Sequence, residues 1–251
     1  MRDVASKQEI TMGCGCSDKT KSASLPDNTM DASYWDKRYE QGIGAGAGSK
    51  GRLAAFKLKA VQDIVDAYDI KSVADVGCGD GAQMRNLRVK QYRGFDVSEV
   101  AIDLATAGAK IQPPDWMYQV MSEDAVSESG IVDMAMSIDV LFHLDETMYK
   151  RHLDMLFHLS RRYVLIYAPN HDGKGLELAS HMFFREFVPT VKELFKLDPV
   201  LHVENEFPPE PVKGRVKSDT SFADFYLFDL ESKKRRTKDD IDGKNKDRGT
   251  Q

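Results

Sequence analysis

The stretch Ser72-Val73-Ala74-Asp75-Val76-Gly77-Cys78-Gly79-Asp80-Gly81 decides the fold of this chain. It begins as a short apolar run, which predicts a buried strand, and it ends in three glycines at alternate positions. Glycine has no Cβ and tolerates positive φ, so a turn built on these glycines can approach a ligand closely. We expect a helix to start within residues 82–87 and to direct its positive end, with the turn amides, toward that ligand. A nucleotide is the ligand that this arrangement favours.

A second strand is predicted at residues 92–96, and it ends in Asp96. An acid in this position can accept hydrogen bonds from ribose hydroxyls. Two nucleotide chemistries fit the glycine turn. Continued to Ala82, the turn matches the dinucleotide pattern G-x-G-x-x-A, whereas counted from Asp75 it reads D-x-G-x-G-x-G. A turn that binds no ligand is the third alternative, but each glycine in regular structure costs about 0.5–1 kcal/mol and needs a reason.

The composition is that of an ordinary globular protein. The chain has 251 residues, enough for one large domain or two small ones. No apolar run approaches the roughly 20 residues that span a bilayer, and three cysteines make no disulfide framework. The formal net charge of −5 gives no indication of nucleic-acid binding. We therefore expect a soluble cytoplasmic protein with neither a membrane span nor a nucleic-acid partner.

The two ends of the chain differ from its middle. Residues 1–30 are polar and aperiodic, which predicts a disordered leader, and residues 231–251 are charged almost throughout, which predicts a disordered, solvated tail. One folded domain is expected over residues 31–230. Within the leader, Met12-Gly13-Cys14-Gly15-Cys16-Ser17 fits the myristoylation pattern if translation begins at Met12. A loose segment without a role and a poor two-thiolate metal site are the alternatives.

Residues 42–51 contain too many glycines to form a helix or a strand. They are either a flexible linker or a loop that folds over a bound ligand and uses its amides and Ser49 to hold a carboxylate. The second interpretation is favoured because the loop leads directly into an amphipathic helix, predicted for residues 51–68. Arg52, in the first turn of that helix, could reach the same carboxylate.

From residue 72 onward, strand and helix patterns alternate, which is typical of a parallel sheet covered on both sides. The last two predicted strands, at residues 200–204 and 222–229, have no clear helix between them. Strands joined in this way form an antiparallel pair at a sheet edge. A dinucleotide-binding fold continues with parallel strands to the end of its sheet. An antiparallel ending therefore argues against the dinucleotide pattern and favours the D-x-G-x-G-x-G interpretation.

From Tyr34 to about Asp229, the chain resembles the class I S-adenosylmethionine-dependent methyltransferases. The resemblance rests on residues 75–81, on Asp96, and on Val132-Asp133-Met134-Ala135-Met136-Ser137 followed by Leu141-Phe142-His143-Leu144. It implies an α/β, Rossmann-like, seven-stranded sheet that is mostly parallel with an antiparallel last strand and has helices on both faces. A narrower likeness links the chain to a branch that accompanies glycan biosynthesis. Its motifs lie at residues 34–39, 46–57, 162–167 and 181–185.

The resemblance also implies a cofactor site for S-adenosylmethionine. It places the methionine part of the cofactor against the turn that Asp75 opens, with the carboxylate near Ser49 and Arg52, and gives the ribose hydroxyls to Asp96. The adenine amino group would meet Glu123 or Asp124, and the ring faces would meet Val97 and Met121. The full predicted set is Ser49, Arg52, Asp75, Gly77, Gly79, Gly81, Asp96, Val97, Met121, Glu123 and Asp124.

The expected acceptor is a hydroxyl of a sugar or glycan, which needs a general base or a metal near the transferred methyl group. His143, Asp139 and His181 are the candidates. His143 could instead be a structural hydrogen-bonding residue. Asp139 could orient a histidine, help to hold a divalent cation or cap the following helix. His181 with Arg185 could bind an acidic or polar acceptor or lie at a solvated helix start. A methyltransferase for another small molecule and a non-catalytic scaffold with this fold are the alternative functions.

Overall fold

The computed structural model describes residues 32–109, 115–174, 176, 182–209, 211–212, 215–216 and 219–232. The predicted leader, nearly all of the predicted tail and His181 lie outside these residues. The helices are α1 (Ala32–Glu40), α2 (Gly51–Ala67), α3 (Glu99–Gly108), α4 (Glu123–Glu128), α5 (Glu146–Leu159) and α6 (Phe187–Phe195). The strands are β1 (Ser72–Val76), β2 (Gln91–Asp96), β3 (Trp116–Val120), β4 (Val132–Ile138), β5 (Ser160–Ala168), β6 (Pro199–Val203), β7 (Pro211–Val212), β8 (Arg215–Val216) and β9 (Asp224–Asp229). Short 3-10 helices span Ala47–Ser49 and Leu141–His143.

Seven strands form one sheet in the order β3-β2-β1-β4-β5-β9-β6. The first five in this order pair in parallel, and β9 runs antiparallel to both of its neighbours. This arrangement confirms the predicted mostly parallel sheet with an antiparallel last strand. All five parallel strands end at one edge of the sheet, which is where open α/β sheets place their ligands.

The central strands are buried because helices cover both faces of the sheet. Side chains alternate along β4: Met134 and Met136 join the cluster that packs against α2, whereas Ala135 joins the cluster that packs against α5 and α6. A strand covered in this way reads as a nearly continuous apolar run. Every residue of β1 and of β4 is accordingly buried.

Asp133 fastens the sheet at its opposite, amino-terminal edge. Its carboxylate accepts hydrogen bonds from the Lys71 and Ser72 amides at 2.9 and 3.1 Å and from the Arg161 guanidinium at 2.9 and 2.6 Å. Burial opposes ionisation here, but the Arg161 bond, the backbone bonds and the Arg161 charge outweigh it and hold the Asp133 pKa below its usual value. The residue therefore links the starts of β1, β4 and β5.

The prediction of a helix within residues 82–87 was wrong: residues 82–86 form consecutive turns, and residue 87 belongs to no helix. Local bonds hold them: the Asp80 side chain accepts from the Ala82 amide at 3.1 Å, and the Leu87 amide donates to the Met84 carbonyl at 2.9 Å. An aspartate that bonds the backbone two residues on favours a turn over a helix. The helix α4 and the β7–β8 ribbon were not predicted. None of the described helices is long and apolar enough to cross a membrane.

Candidate active site

The three glycines after β1 adopt the backbone conformation that the sequence predicts. Their φ angles are 93° at Gly77, 57° at Gly79 and 66° at Gly81. The turn amides, however, do not point outward to a ligand. Those of Gly77 and Cys78 donate to the Phe95 carbonyl at 2.7 and 3.0 Å. The turn is thus fastened to the end of β2.

Neighbouring side chains enclose this glycine turn closely. A Cβ added at Gly77 would lie 2.3 Å from a methyl of Val140, and one at Gly79 would lie 2.4 Å from the Tyr39 hydroxyl. Real Cβ atoms do not approach other atoms so closely, so each position requires glycine for space as well as for its φ. Tyr39 belongs to α1, and α1 therefore lies directly over the turn.

Asp96 stands where β2 ends, beside the glycine turn. Its Oδ2 accepts from the Gly79 amide at 2.8 Å, and its Oδ1 accepts from the Ser98 amide at 3.0 Å. Burial raises its pKa, partly offset by these backbone bonds. Each carboxylate oxygen can accept more than one hydrogen bond, so the group holds the turn and keeps capacity for a ligand.

Asp75 lies deeper, on β1 and beneath the turn, with 4% of its surface exposed. The Tyr92 hydroxyl donates to its Oδ2 at 2.6 Å, while its buried Oδ1 accepts from no described residue. Burial is the largest cause that raises the Asp75 pKa to about 7; the Tyr92 bond opposes the rise and the nearby Asp96 adds to it. A buried carboxylate oxygen without a partner is costly, so it calls for a donor from outside the described chain.

The residues predicted for the adenine ring lie around the adjoining ends of β2 and β3. The Met121 amide donates to the Asp96 carbonyl at 2.8 Å, which brings Met121 next to Asp96. Val97 and Met121 are both partly exposed. Glu123 and Asp124 begin α4, and the Asp124 side chain is exposed. The structure therefore brings this group to one place, immediately beyond the glycine turn.

The glycine-rich segment, residues 42–51, faces the turn across a cavity of about 150 Å³. Ser49 lies in the wall of this cavity, and its hydroxyl donates to the Gly46 carbonyl at 2.8 Å. The other lining residues are Tyr39, Gly42, Gly44, Ala45, Lys50, Asp80, Ala82 and Leu104. Arg52 is not among them, because it pairs with the Asp219 carboxylate at 2.9 Å and lies over the Phe207 ring.

Lys57 is a site residue that the sequence analysis missed. Its side chain is fully buried in α2, and its ammonium donates to the Gly48 carbonyl at 2.8 Å and to Gln83 Oε1 at 3.3 Å. It also forms an ion pair with Asp139 Oδ2. A signal was present in the sequence, since Lys57 occupies the apolar face of α2 four residues after the buried Leu53.

Asp139 follows β4 at the ligand-binding edge of the sheet. Its φ is 61°, a left-handed conformation that few residues other than glycine adopt. The Asp139 amide donates to the Tyr167 carbonyl at 3.0 Å, which ties this conformation to β5. While Oδ2 pairs with Lys57, the side chain keeps 27% of its surface exposed. None of the described residues donates to Oδ1, so one carboxylate oxygen is available to a ligand.

His143 ends the short helix that follows Asp139. Its ring lies edge-on to Trp35 of α1, with the ring centres 5.4 Å apart, and 4.4 Å from the ring centre of Phe142. His171, which no sequence pattern marked, follows β5 nearby in the fold and contacts Phe184 with its ring centre at 5.1 Å. Aromatic rings therefore line the part of the sheet edge beyond Asp139.

These observations fit the cofactor that the resemblance implies. The glycine turn, the partnerless oxygen of Asp75 and the Asp96 carboxylate meet at the carboxyl ends of β1 and β2. Among the residues described, no group of three or more His, Cys, Asp or Glu side chains is placed to hold a metal ion.

Comparison with known proteins agrees with this geometry. Residues 74–157, from β1 to α5, match the profile of the family described as "Methyltransferase domain". The chain contains a methyltransferase domain. A search of curated protein sequences finds no match.

Solved structures share the fold of this methyltransferase. Magnesium protoporphyrin IX methyltransferase from Synechocystis PCC 6803, solved with bound SAH, has a TM-score of 0.55 and 14% identity, over 79% of this chain and 97% of its own. The methyltransferase domain of bacterial CtHen1 has a TM-score of 0.53 and 21% identity, over 69% and 97%. An O-methyltransferase family protein from Burkholderia thailandensis has a TM-score of 0.50 and 13% identity, over 71% and 56%. At such identities the likeness establishes the Rossmann-like methyltransferase fold.

Proposed function

We propose that this S-adenosylmethionine-dependent methyltransferase transfers its methyl group to a hydroxyl of a sugar or glycan. The observation that carries the hydroxyl part of the proposal is the Asp139 carboxylate. It lies beyond β4 at the same edge of the sheet as the proposed cofactor site. One oxygen pairs with Lys57, and the side chain keeps 27% of its surface exposed. A neutral alcohol needs a general base to remove its proton. A thiol that is partly ionised near neutral pH, or an amine that is partly unprotonated there, has less need of a base.

The cofactor would be held mainly by the residues around the glycine turn. Asp96 would accept from the ribose hydroxyls, Val97 and Met121 would contact the adenine, and Glu123 or Asp124 would accept from its amino group. The partnerless Asp75 oxygen supports a positively charged or hydrogen-bonding group of the ligand beside Gly77 and Gly79. Ser49, in the cavity wall, would hold the carboxylate. Arg52 would join it by leaving its exposed ion pair with Asp219, since such a surface pair contributes little.

Alignment and proton removal are the two tasks left to the protein. When bound, S-adenosylmethionine supplies a methyl group on a sulfonium that is already a good leaving group. Asp139 would hold the acceptor hydroxyl in line and accept its proton on Oδ1 as the oxygen forms its bond to carbon. His143, the second candidate base, lies among the aromatic rings of Trp35 and Phe142. We assign it to the wall of the acceptor site.

A sugar acceptor is supported by the aromatic surroundings of His143 and by the narrower resemblance. Flat aromatic rings can stack on the C–H faces of sugar rings. Other small molecules with a hydroxyl would suit the same base. The net charge predicts that the acceptor is not a nucleic acid, and the composition predicts a cytoplasmic location. Both stay predictions.

The first test is calorimetric titration with S-adenosylmethionine and, separately, with NAD. We expect the former alone to bind, and we expect Asp96→Ala to abolish that binding. Asp103→Ala, an exposed acid of α3, is the matched control and should bind as the wild type does. Binding of NAD alone would overturn the cofactor assignment, and binding of neither would favour the scaffold alternative.

The second test addresses the base and the acceptor. Transfer of labelled methyl groups to a panel of sugars would be measured with and without divalent metal. Asp139→Asn should lower kcat by about 10²–10⁴-fold, the range for general acid–base catalysis. His143→Gln should raise KM much more than it lowers kcat. The reverse pattern would make His143 the base.

A further inference from the structure

We propose that Lys57 is a positioning residue that couples closure of the glycine-rich segment over the cofactor to the orientation of Asp139 toward the acceptor. The inference rests on the proposed function, because it gives the cofactor to the glycine turn and the acceptor to Asp139. It goes further because one buried ammonium contacts both halves of the site, the cofactor half at the glycine turn and the acceptor half at Asp139.

The three donors of Lys57 reach three separate parts of the chain. One bonds the Gly48 carbonyl of the glycine-rich segment, one bonds Gln83 just after the glycine turn, and one pairs with Asp139 after β4. An ammonium has three protons, so none remains for a substrate. Lys57 can therefore act on a ligand only through these partners.

Because Lys57 is buried, a change at one of its three partners affects its bonds to the other two. The side chain is fully buried, and a buried ammonium that loses its partners is strongly unfavourable. The face of the Tyr167 ring, 4.9 Å away, adds a further favourable contact. If the glycine-rich segment moves away, Lys57 loses the Gly48 carbonyl, and the pair with Asp139 must readjust. Opening of the segment is thereby linked to the geometry of the carboxylate.

Asp139 depends on this contact for its orientation. It stands in a left-handed backbone conformation at φ 61°, which the surrounding structure must hold in place. The two segments are also in near contact, because a Cβ added at Gly48 would lie 3.6 Å from Asp139 Oδ2. Cofactor binding beneath the segment would thus set the acceptor base before the acceptor arrives.

The experiment is a double-mutant cycle on the affinity for S-adenosylhomocysteine, measured by calorimetry with Lys57→Met, Asp139→Asn and the double variant. Coupling energies between linked sites correspond to about 5–150-fold in affinity, so each single variant should bind about tenfold more weakly. The double variant should bind no more weakly than either single one. Lys59→Met, an exposed lysine on the same helix, is the control and should bind normally.

Hydrogen exchange supplies a readout that a purely structural lysine would not move. In Asp139→Asn, the amides of residues 47–51 should lose protection in the presence of S-adenosylhomocysteine, although the substitution lies outside that segment. Normal affinity and normal protection in both single variants would overturn the inference while leaving the proposed function intact. A wild type that does not bind S-adenosylhomocysteine would overturn the proposed function itself.

The wild type provides a measurement that does not depend on the variants folding. On addition of S-adenosylhomocysteine, we expect the amides of residues 47–51 and those of residues 139–143 to gain protection together and at the same ligand concentration. Protection confined to residues 47–51 would show that the two halves of the site are not coupled, and it would refute the role given to Lys57.

Discussion

Gly79 illustrates how much a single hydrogen atom in place of a side chain contributes to this site. Its φ is 57°, and the Tyr39 hydroxyl lies 2.4 Å from the position that a Cβ would take. The left-handed backbone and the absent side chain are separate requirements, and a substitution by alanine would violate both.

We therefore predict that Gly79→Ala destabilises the protein by about 3 kcal/mol, the sum of left-handed strain and overpacking, and displaces α1. Denaturant unfolding would measure the loss of stability. Calorimetric titration with S-adenosylmethionine would report the displacement of α1 as a change in affinity. Gly42→Ala is the matched control: φ is 69°, but nothing lies within 4 Å of the added Cβ. It should cost about 1–2 kcal/mol through strain alone. Equal losses in the two variants would contradict the crowding argument.

Asp75 predicts a particular dependence of stability on pH. Its pKa is about 7 in the folded protein and 3.8 ordinarily, because burial disfavours the charged form. Between these values the folded state holds a proton that the unfolded state has released, so the stabilisation is complete below pH 4 and is lost as pH rises through 7. Asp75→Asn should remove this pH dependence, whose total effect on the free energy of unfolding amounts to a few kcal/mol. Denaturant unfolding from pH 4 to pH 8 would measure it.

The difference between wild type and variant is the quantity to follow, because His152 acts in the opposite sense. Burial lowers the His152 pKa from 6.5 to about 4, so its contribution to stability is lost as pH falls through that window. Subtracting the two unfolding curves cancels His152. A difference that does not change with pH would show that Asp75 is ionised throughout.

At the scale of elements, α1 behaves as a cover held by a few polar contacts. Asp36 accepts hydrogen bonds from the Ser98 hydroxyl at 2.6 Å and the Val100 amide at 3.2 Å, at the amino end of α3. An acid there also interacts favourably with the helix dipole. The Tyr39 and Trp35 side chains of α1 reach the glycine turn and His143, so one nine-residue helix touches both halves of the site.

Asp36→Ala should therefore loosen α1 without unfolding the domain. Losing these contacts costs about 1–2 kcal/mol, which acts on the attachment of this one helix. The chain has two tryptophans, so in a Trp116→Phe background Trp35 alone reports on α1. Its emission should shift to the red in Asp36→Ala. An unchanged spectrum would mean that packing alone holds the helix.

At the scale of the whole molecule, the two edges of the sheet have different tasks. The carboxyl edge carries Asp96, Asp139 and the glycine turn, whereas the amino edge carries Asp133 with its bonds to Lys71, Ser72 and Arg161. The amino edge lies a strand's length away from the proposed ligands, and its bonds serve the alignment of the strands.

We predict that Asp133→Ala destabilises the protein by about 3 kcal/mol, because it leaves buried amides without an acceptor, while the affinity of the folded protein for S-adenosylmethionine stays unchanged. Thermal unfolding would measure the loss of stability, and calorimetric titration well below the unfolding transition would measure the affinity. Arg151→Ala, at an exposed arginine of α5, is the control. A large loss of affinity in Asp133→Ala would show that the two edges are not independent.

The extent to which the sequence predicted this protein varies with scale. The glycines and the terminal antiparallel strand were predicted because φ requirements and strand patterns are local properties. The helix at residues 82–87 was not, because the Asp80 carboxylate competes for the backbone there. The Lys57–Asp139 pair was missed because its members are 82 residues apart in the chain. The contact of Arg52 with Asp219, separated by 167 residues, was missed for the same reason.

The sequence by itself determined the alternation of strands and helices along most of the domain, the glycine turn, and the acids Asp75 and Asp96 near the ends of the first two strands, since each depends on residues close together in the chain. Only the tertiary structure decided which groups meet: Lys57 with Asp139, Tyr39 with Gly79, and Asp36 with the start of α3. Parallel strands bring distant segments to one edge, and a buried charge takes its partner from whichever segment packing places beside it. That partner is set by the packing of the folded domain and not by any local pattern.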